Sequence, residues 1–244
     1  MKKKIFALAV AAMAVLGARA QNMVNGHEYV DLGLPSGTLW ATMNMGAASA
    51  NDLGDKYAWG ETTTKAEYTA SNYTVSGVFA PLPLTNDAAY VNWGNMWSMP
   101  TTIQCQELID KCQKVFDDNG VTFTGPNGNS IYFPIGAVGE YKHSYYRTKA
   151  LGCFWLIISY KQGGITYSNS WYANSGAAQT YEGWYIRPVV RTTTISDIPE
   201  GWTVNGIVPT DGKVDVTVGT KVTVTPANLP VGKKIKSIKA VPTE

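Results

Sequence analysis

Histidine and cysteine are the residues this chain most nearly does without. Its 244 residues include two histidines, His27 and His143, and three cysteines, Cys105, Cys112 and Cys153. No Cys-x-x-Cys pair and no cysteine–histidine cluster occurs, so thiolate metal binding is not indicated. No Gly-x-Ser-x-Gly run nominates a serine nucleophile. Without a nucleophile and an orienting partner in reach, both histidines are expected in surface or hydrogen-bonding roles, His143 in a loop-like Tyr141–Arg147 segment. Charged residues make up only 16% of the chain. Asn51-Asp52-Leu53-Gly54-Asp55 lacks the spaced acids and distal glutamate of a calcium loop and reads as a polar turn. Asp117-Asp118 reads as a helix end, and nothing sets the separation of two carboxylates that glycoside hydrolysis needs. No catalytic residue, metal or cofactor is therefore expected.

Long apolar runs are also missing beyond the first 20 residues. There, Lys2, Lys3 and Lys4 precede an apolar stretch from Ile5 to Leu16, and Ala18-Arg19-Ala20 offers a cleavage site before Gln21, the pattern of a secretory signal peptide. A run of about a dozen residues is too short to cross a bilayer core of about 30 Å. Removing Lys2, Lys3, Lys4 and Arg19 leaves 16 basic residues of 20 against all 18 acidic ones, a formal charge of −2. No basic excess remains to argue for nucleic acid or an anionic surface. The expectation is a secreted, periplasmic or outer-surface protein with no transmembrane segment after cleavage.

What the chain does have is aromatic residues, 11% of its length, each of which removes about 150–250 Å² from water when buried. Residues 21–96 interleave Gly, Asn, Ser and Thr with Trp40, Tyr57, Trp59, Tyr90 and Trp93, which suggests long loops pinned by buried rings. One helix is predicted. Thr101-Thr102-Ile103-Gln104 matches a capping box, and Cys105, Leu108, Ile109, Cys112, Val115 and Phe116 form one apolar stripe at helical period. Asp118-Asn119-Gly120 is read as its stop, with Gly120 as a left-handed cap. On that helix Cys105 and Cys112 would lie about 10.5 Å apart at 1.5 Å per residue. That exceeds the roughly 7 Å a disulfide allows, so small buried thiols are the favoured reading, with a bridge to Cys153 left open.

Strands are expected after the helix: Val121–Thr124 and Ser130–Ile135 around the Gly125–Asn129 turn, then Cys153–Tyr160, Gly164–Ala173 and Trp184–Thr192. Residues 192–197 read as a linker. In 198–244, Val214, Val216, Val218, Val222 and Val224 alternate with polar residues as half-buried strands do, and Asp211-Gly212 and Gly219-Thr220 supply turns. Lys233, Lys234, Lys236 and Lys239 read as a solvated strand face. The expected organisation is a signal peptide (1–20), a main domain (21–191), the linker and a small all-β module (198–244).

Five motifs in order resemble the Fibrobacter succinogenes major paralogous domain family. They are the segment from Glu28 to Thr42 (EYVDLGLPSGTLWAT), Tyr57–Thr62 (YAWGET), Trp97–Thr101 (WSMPT), Gly125–Ser130 (GPNGNS) and Ile186–Val189 (IRPV). The match covers roughly residues 27–191. The Trp-x-x-Pro-Thr box opening a helix and the closing aromatic-Arg strand are also similar to the formylglycine-generating enzymes. That wider resemblance implies a C-type-lectin-like α+β fold, loop-rich, with one main helix and a ligand face built from loops.

Departures limit what the resemblance implies. Thr166–Tyr185 lacks the cysteine pair that formylglycine-generating enzymes use with copper. The Glu-Pro-Asn, Gln-Pro-Asp and Trp-Asn-Asp motifs of calcium-dependent lectins are absent as well. The residues after Val218 weakly resemble short β-repeats of bacterial surface proteins.

The best candidates for function lie between Tyr141 and Tyr181. Tyr145, Tyr146, Tyr167, Asn169, Trp171, Tyr172 and Asn174 mix flat rings with amides, a combination suited to recognition. The competing reading is that most of these rings fill a loop-rich core, above all Trp155 and Trp184. The expected function is binding or adhesion to a glycan, peptide or surface protein. The alternatives are a divergent enzyme (formylglycine-type oxidase or carbohydrate hydrolase) and a structural subunit of a surface fibre.

Overall fold

The computed structural model describes residues 22–77, 82–138, 141–150, 154–162, 165–174, 180–217 and 222–226. Of these, 137–138, 141–143, 154–162, 165–174, 194, 215 and 217 are described by backbone alone. Residues 1–20, Cys153 and the four C-terminal lysines lie outside the described residues.

In chain order the elements are β1 (Met23–Val24), β2 (His27–Asp31), β3 (Leu39–Ala41), β4 (Lys56–Tyr57), α1 (Ala88–Trp93), β5 (Trp97–Ser98) and α2 (Thr102–Lys111). There follow β6 (Gln113–Phe116), β7 (Gly120–Thr124), β8 (Ser130–Pro134), β9 (Ala137–Val138), β10 (Tyr141–Arg147), β11 (Phe154–Gln162) and β12 (Ile165–Asn174). The chain continues with β13 (Trp184–Tyr185), β14 (Val189–Val190), β15 (Thr192–Ile195), β16 (Thr203–Val204), β17 (Val214–Thr217) and β18 (Val224–Thr225). The fold is α+β and mostly β, with chiefly antiparallel pairing.

A five-stranded sheet in the order β1-β2-β3-β14-β5 runs through the middle of the main domain. Successive strand residues point to opposite faces, and here both faces are buried. Trp40 and Val189 enter a core with Cys105, Leu108, Ile109, Phe123, Phe133 and Tyr146. Ala41 and Val190 enter a second core with Met45, Trp59, Trp97, Met99 and Ile186. Trp40, Trp59 and Trp97 are fully buried. At about 25 cal/mol per Å² each contributes on the order of 4–6 kcal/mol of gross hydrophobic stabilisation. The aromatic-pinned organisation expected of residues 21–96 is thus present, with α1 as a short helix in addition.

The long connections are held by polar side chains. Arg187, fully buried, donates from Nε to Asn44 Oδ1 (2.8 Å), from Nη1 to the carbonyls of Ala41 and Thr42 (3.2 Å each) and from Nη2 to the Tyr132 carbonyl (2.9 Å). Its carbon lies 4.2 Å from the Phe133 ring centre. Burial pushes its pKa down to about 10, so it stays a cation at neutral pH. Asp87 is likewise buried. It caps α1 through the amides of Ala89 and Tyr90, accepts a third bond from Met99 N, and lies 3.4 Å from Lys149 Nζ. Burial raises its pKa against the pull of Lys149 and those amides.

Two of the family-like motifs meet at one corner. Asn127 and Asn129 each donate a side-chain bond to the Asp31 carbonyl, at 2.9 and 2.8 Å. A Cβ on Gly125 would overlap the Leu32 carbonyl, which is why the hairpin turn begins with glycine there. Glu107 of α2 accepts the backbone and hydroxyl of Ser36 in the same turn region.

The helix begins as its sequence predicts and ends earlier. Thr101 and Gln104 form the capping box, and Cys105, Leu108, Ile109 and Cys112 are buried. Cys112 is already extended, with φ −98° and ψ 146°. Gln113–Phe116 then pairs with β7 as β6, leaving Val115 exposed. Helical spacing and strand alternation coincide over so few residues, and the β-branched Val115 and aromatic Phe116 gain a ladder by leaving the helix. Asp117–Asn119 consequently forms a hairpin corner, and Gly120 is not left-handed. A Cβ on Gly120 would overlap the Phe133 carbonyl and the Tyr132 ring. Cys105 and Cys112 are free and buried, which raises both thiols, Cys112 to about 11.

The segment read as a linker is mostly strand. Thr192–Ile195 forms β15 and pairs antiparallel with β17, so the C-terminal unit starts directly after β14. Its β-branched residues fit a pleated surface. Val214 and Val216 pack with Ile198 and Val204 in a small core of their own, as the valine alternation predicts.

Replacing Arg187 with methionine keeps apolar length but strands three carbonyls and Asn44, so we expect a loss of about 3 kcal/mol or more in urea denaturation. Lysine at the same position should recover only part, because an ammonium cannot fork to four oxygens. A loss below about 1 kcal/mol for the methionine variant would show the carbonyls to be satisfied by other means.

Candidate functional site

The residues singled out by sequence separate into two groups. Tyr145 and Tyr146 lie on β10, while Tyr167, Asn169, Trp171, Tyr172 and Asn174 all lie on β12. These strands belong to one sheet in the order β12-β11-β10-β13-β4, with β9 beside β10. The strands expected at Cys153–Tyr160 and Gly164–Ala173 are present as β11 and β12, while Tyr141–Arg147, expected as loop-like, forms β10 of the same antiparallel meander. His143, expected in a loop, pairs with Ile158 within that ladder. Aromatic and β-branched residues dense enough to suggest a binding surface are also those with the strongest strand preference.

Tyr146 is a correction to the candidate set. Its side chain is fully buried, in edge contact with Phe133 at 5.5 Å. Its hydroxyl donates to the Pro134 carbonyl at 2.8 Å, and burial pushes it up to about 12. It is a core residue and presents nothing to a ligand. Tyr145, its neighbour in the alternation, is half-buried and stacks on Trp184 with ring centres 5.1 Å apart.

Arg147 locks this part of the sheet to its surroundings. Its carbon lies 4.0 Å from the Trp184 ring centre. Nη2 donates to the carbonyls of Thr180 (3.1 Å) and Glu182, and Nε to that of Tyr57 (3.4 Å). Burial pushes the guanidinium down to about 9. Trp184 is buried, in agreement with the core reading of that residue. The sheet is thus fixed to its surroundings at β10 and β13.

Its outer end is β12, ten residues long, which pairs only with β11 among the described residues. Asn169, Trp171, Tyr172 and Asn174 stand opposite Ser159, Ile157, Leu156 and Phe154. Tyr160 pairs with Ser168 but Lys161 with Thr166, so Tyr167 is the extra residue of a bulge. Bulges concentrate at sheet edges and beside binding sites. Helix α2 lies against β11 and β12.

Several polar groups outside this sheet are engaged in building the scaffold. His27 stacks on Trp93 at 3.7 Å, and burial lowers its pKa. Asp52 accepts the amides of Ala48 and Gly54, which hold its carboxyl low, and so forms the expected polar turn. Glu61 pairs with Lys65 at 2.6 Å and accepts the amide and hydroxyl of Thr74 at 2.8 Å. Among the described residues no group of three or more His, Cys, Asp or Glu could hold a metal, and no helix is long and apolar enough to cross a membrane. No family model, curated protein or solved structure matches the chain.

Burial alone would raise the Glu61 carboxyl, but Lys65 and Thr74 outweigh it and leave its pKa lowered. A depressed carboxylate contributes stability that is complete above its ordinary pKa of 4.5 and lost as pH falls through the lower folded value. We expect denaturation midpoints to fall over that acid window, and Glu61→Gln to flatten this part of the profile. An unchanged slope in the variant would remove Glu61 as the source.

Proposed function

We propose that this chain is a secreted or cell-surface binding or adhesion protein, of the kind its five motifs resemble, with a C-type-lectin-like main domain. It recognises a glycan, peptide or protein through the β12 side of the sheet, where Tyr167, Asn169, Trp171, Tyr172 and Asn174 follow one another. The observation that carries this reading is that these five residues occupy a single strand, β12, which pairs only with β11 among the described residues and carries a bulge at Tyr167. Rings and amides in such a strand offer stacking surface and hydrogen bonds at small entropic cost. A second observation favours binding over catalysis: Arg187, Arg147, Asp87 and Glu61 are all spent on structural bonds.

One alternative gains support from the same strand. An edge strand carries unpaired backbone groups along one side, which can accept a further strand. That favours a subunit of a surface fibre, with the C-terminal β-unit as a joint.

Glycan arrays and pull-downs from surface extracts with the chain lacking residues 1–20 should recover a ligand. Trp171→Ala and Tyr172→Ala should weaken its capture by about tenfold or more. Retention of full binding by both variants would place recognition elsewhere. Co-fractionation with surface filaments, with binding absent, would favour the fibre reading.

A further inference from the structure

A cleft of about 580 Å³ opens between the Asn51–Leu53 turn and the β6-β7-β8 sheet, lined by Asn51, Leu53, Asp117, Asn119, Tyr132 and Ile135. None of these residues belongs to the β10–β12 meander. Its volume falls within the range of small-molecule sites, and its chemistry is mixed. Asp117 Oδ1 accepts the Asn119 amide (2.7 Å) and the Tyr132 hydroxyl (2.9 Å). Asp117 Oδ2 has no protein donor among the described residues. Asn51 is exposed and brings a carboxamide that can both donate and accept, while Leu53 and Ile135 supply apolar surface.

Both walls of the cleft are tied to the same buried cation. Asn44 donates from Nδ2 to the Leu53 carbonyl at 2.9 Å and accepts from Arg187 Nε at 2.8 Å. Arg187 also donates to the Tyr132 carbonyl at 2.9 Å. The Ile135 amide donates to the Asn119 carbonyl at 2.6 Å and closes the floor. Asn51 and Tyr132 are therefore presented by backbone anchored from beneath, which lowers the ordering cost of binding.

The lining selects among ligand classes. A single carboxylate repels phosphate and other anions. It also falls short of the six to eight oxygens, about the usual calcium set, that would hold that cation. A largely apolar molecule would leave Asp117 and Asn51 without partners. A neutral sugar residue has hydroxyls for the carboxylate and carboxamide and a C–H face for the tyrosine ring. Burial and the Asp117 bond raise the Tyr132 hydroxyl, so it remains an uncharged donor to Asp117 at neutral pH.

We propose that this cleft binds a neutral saccharide residue, with Asp117 and Asn51 taking its hydroxyls and Tyr132 its C–H face. The site goes beyond the β12 reading and stands without it.

Saturation-transfer NMR and calorimetric titration of the chain lacking residues 1–20 with glucose, galactose, mannose and their β-linked disaccharides test this directly. At least one should bind with a dissociation constant of about 0.1–10 mM. Asp117→Asn and Asn51→Ala should each weaken it by about tenfold, and Asn51→Ala, at an exposed position, should melt like the parent. Absence of saturable binding up to about 50 mM would overturn the proposal. So would binding that survives both cleft variants, and binding lost only in Trp171→Ala would assign the sugar to β12 instead.

Discussion

The guanidinium of Arg187, with neutral oxygens as its hydrogen-bond partners, holds together segments that are far apart in sequence. It joins Ala41, Thr42 and Asn44 to Tyr132 across 146 positions at its widest reach. A loop-rich chain with a large aromatic core buries many backbone carbonyls that no strand ladder satisfies, and each costs free energy if left unmet. A planar cation with five donors can meet several at once. The Phe133 ring then covers its face, so the charge is enclosed by dipoles and by π density.

The same device recurs wherever a connection must be fixed. Arg147 gathers the carbonyls of Tyr57, Thr180 and Glu182 and ties β4 to the segment before β13. Asp87 does the complementary work with amides, joining α1 to Met99, two residues before the cap of α2. Asn127 and Asn129 anchor the β7–β8 turn on Asp31. Arg187, Asn127 and Asn129 belong to the motifs that make the chain look familiar, while Arg147 and Asp87 do the same joining from outside them. Together they define a rigid frame, and the proposed recognition falls to surfaces the frame presents, where sequence can change without loss of the fold.

The parts of the structure readable from sequence were those governed by local rules. The capping box at Thr101 and Gln104 starts α2 as expected, and the Gly125–Asn129 turn joins two strands as expected. Asp211-Gly212 adopts φ values of 51° and 69°, as a tight hairpin turn requires. Asn25-Gly26, with φ of 48° and 80°, is the same signal and marks the β1–β2 turn that the reading of residues 21–96 as irregular passed over. The end of α2 was not readable, because Val115 and Phe116 satisfy both helical and strand periodicity. Which of two adjacent tyrosines faces the core was not readable either. Tyr145 and Tyr146 differ only in the parity of the β10 register, set by pairing with Leu156 and Trp155. The Asn51–Tyr132 cleft carried no local signal, since its walls are joined by long-range bonds through Asn44, Arg187 and Tyr146.

If Arg187 is the common anchor, the segments it holds should open together. Native-state hydrogen exchange measures this on three amides close to it: Ala41 bonded to Pro188 O at 2.9 Å, Met45 to Ile186 O at 3.0 Å and Asp55 to Met45 O at 2.8 Å. In the parent chain all three should exchange with one opening free energy close to that of global unfolding. In Arg187→Lys that shared value should drop for all three at once, while amides of the β15–β17 pair keep theirs. Three unrelated opening energies in the parent chain, or a lysine variant in which only one of them moves, would contradict the account.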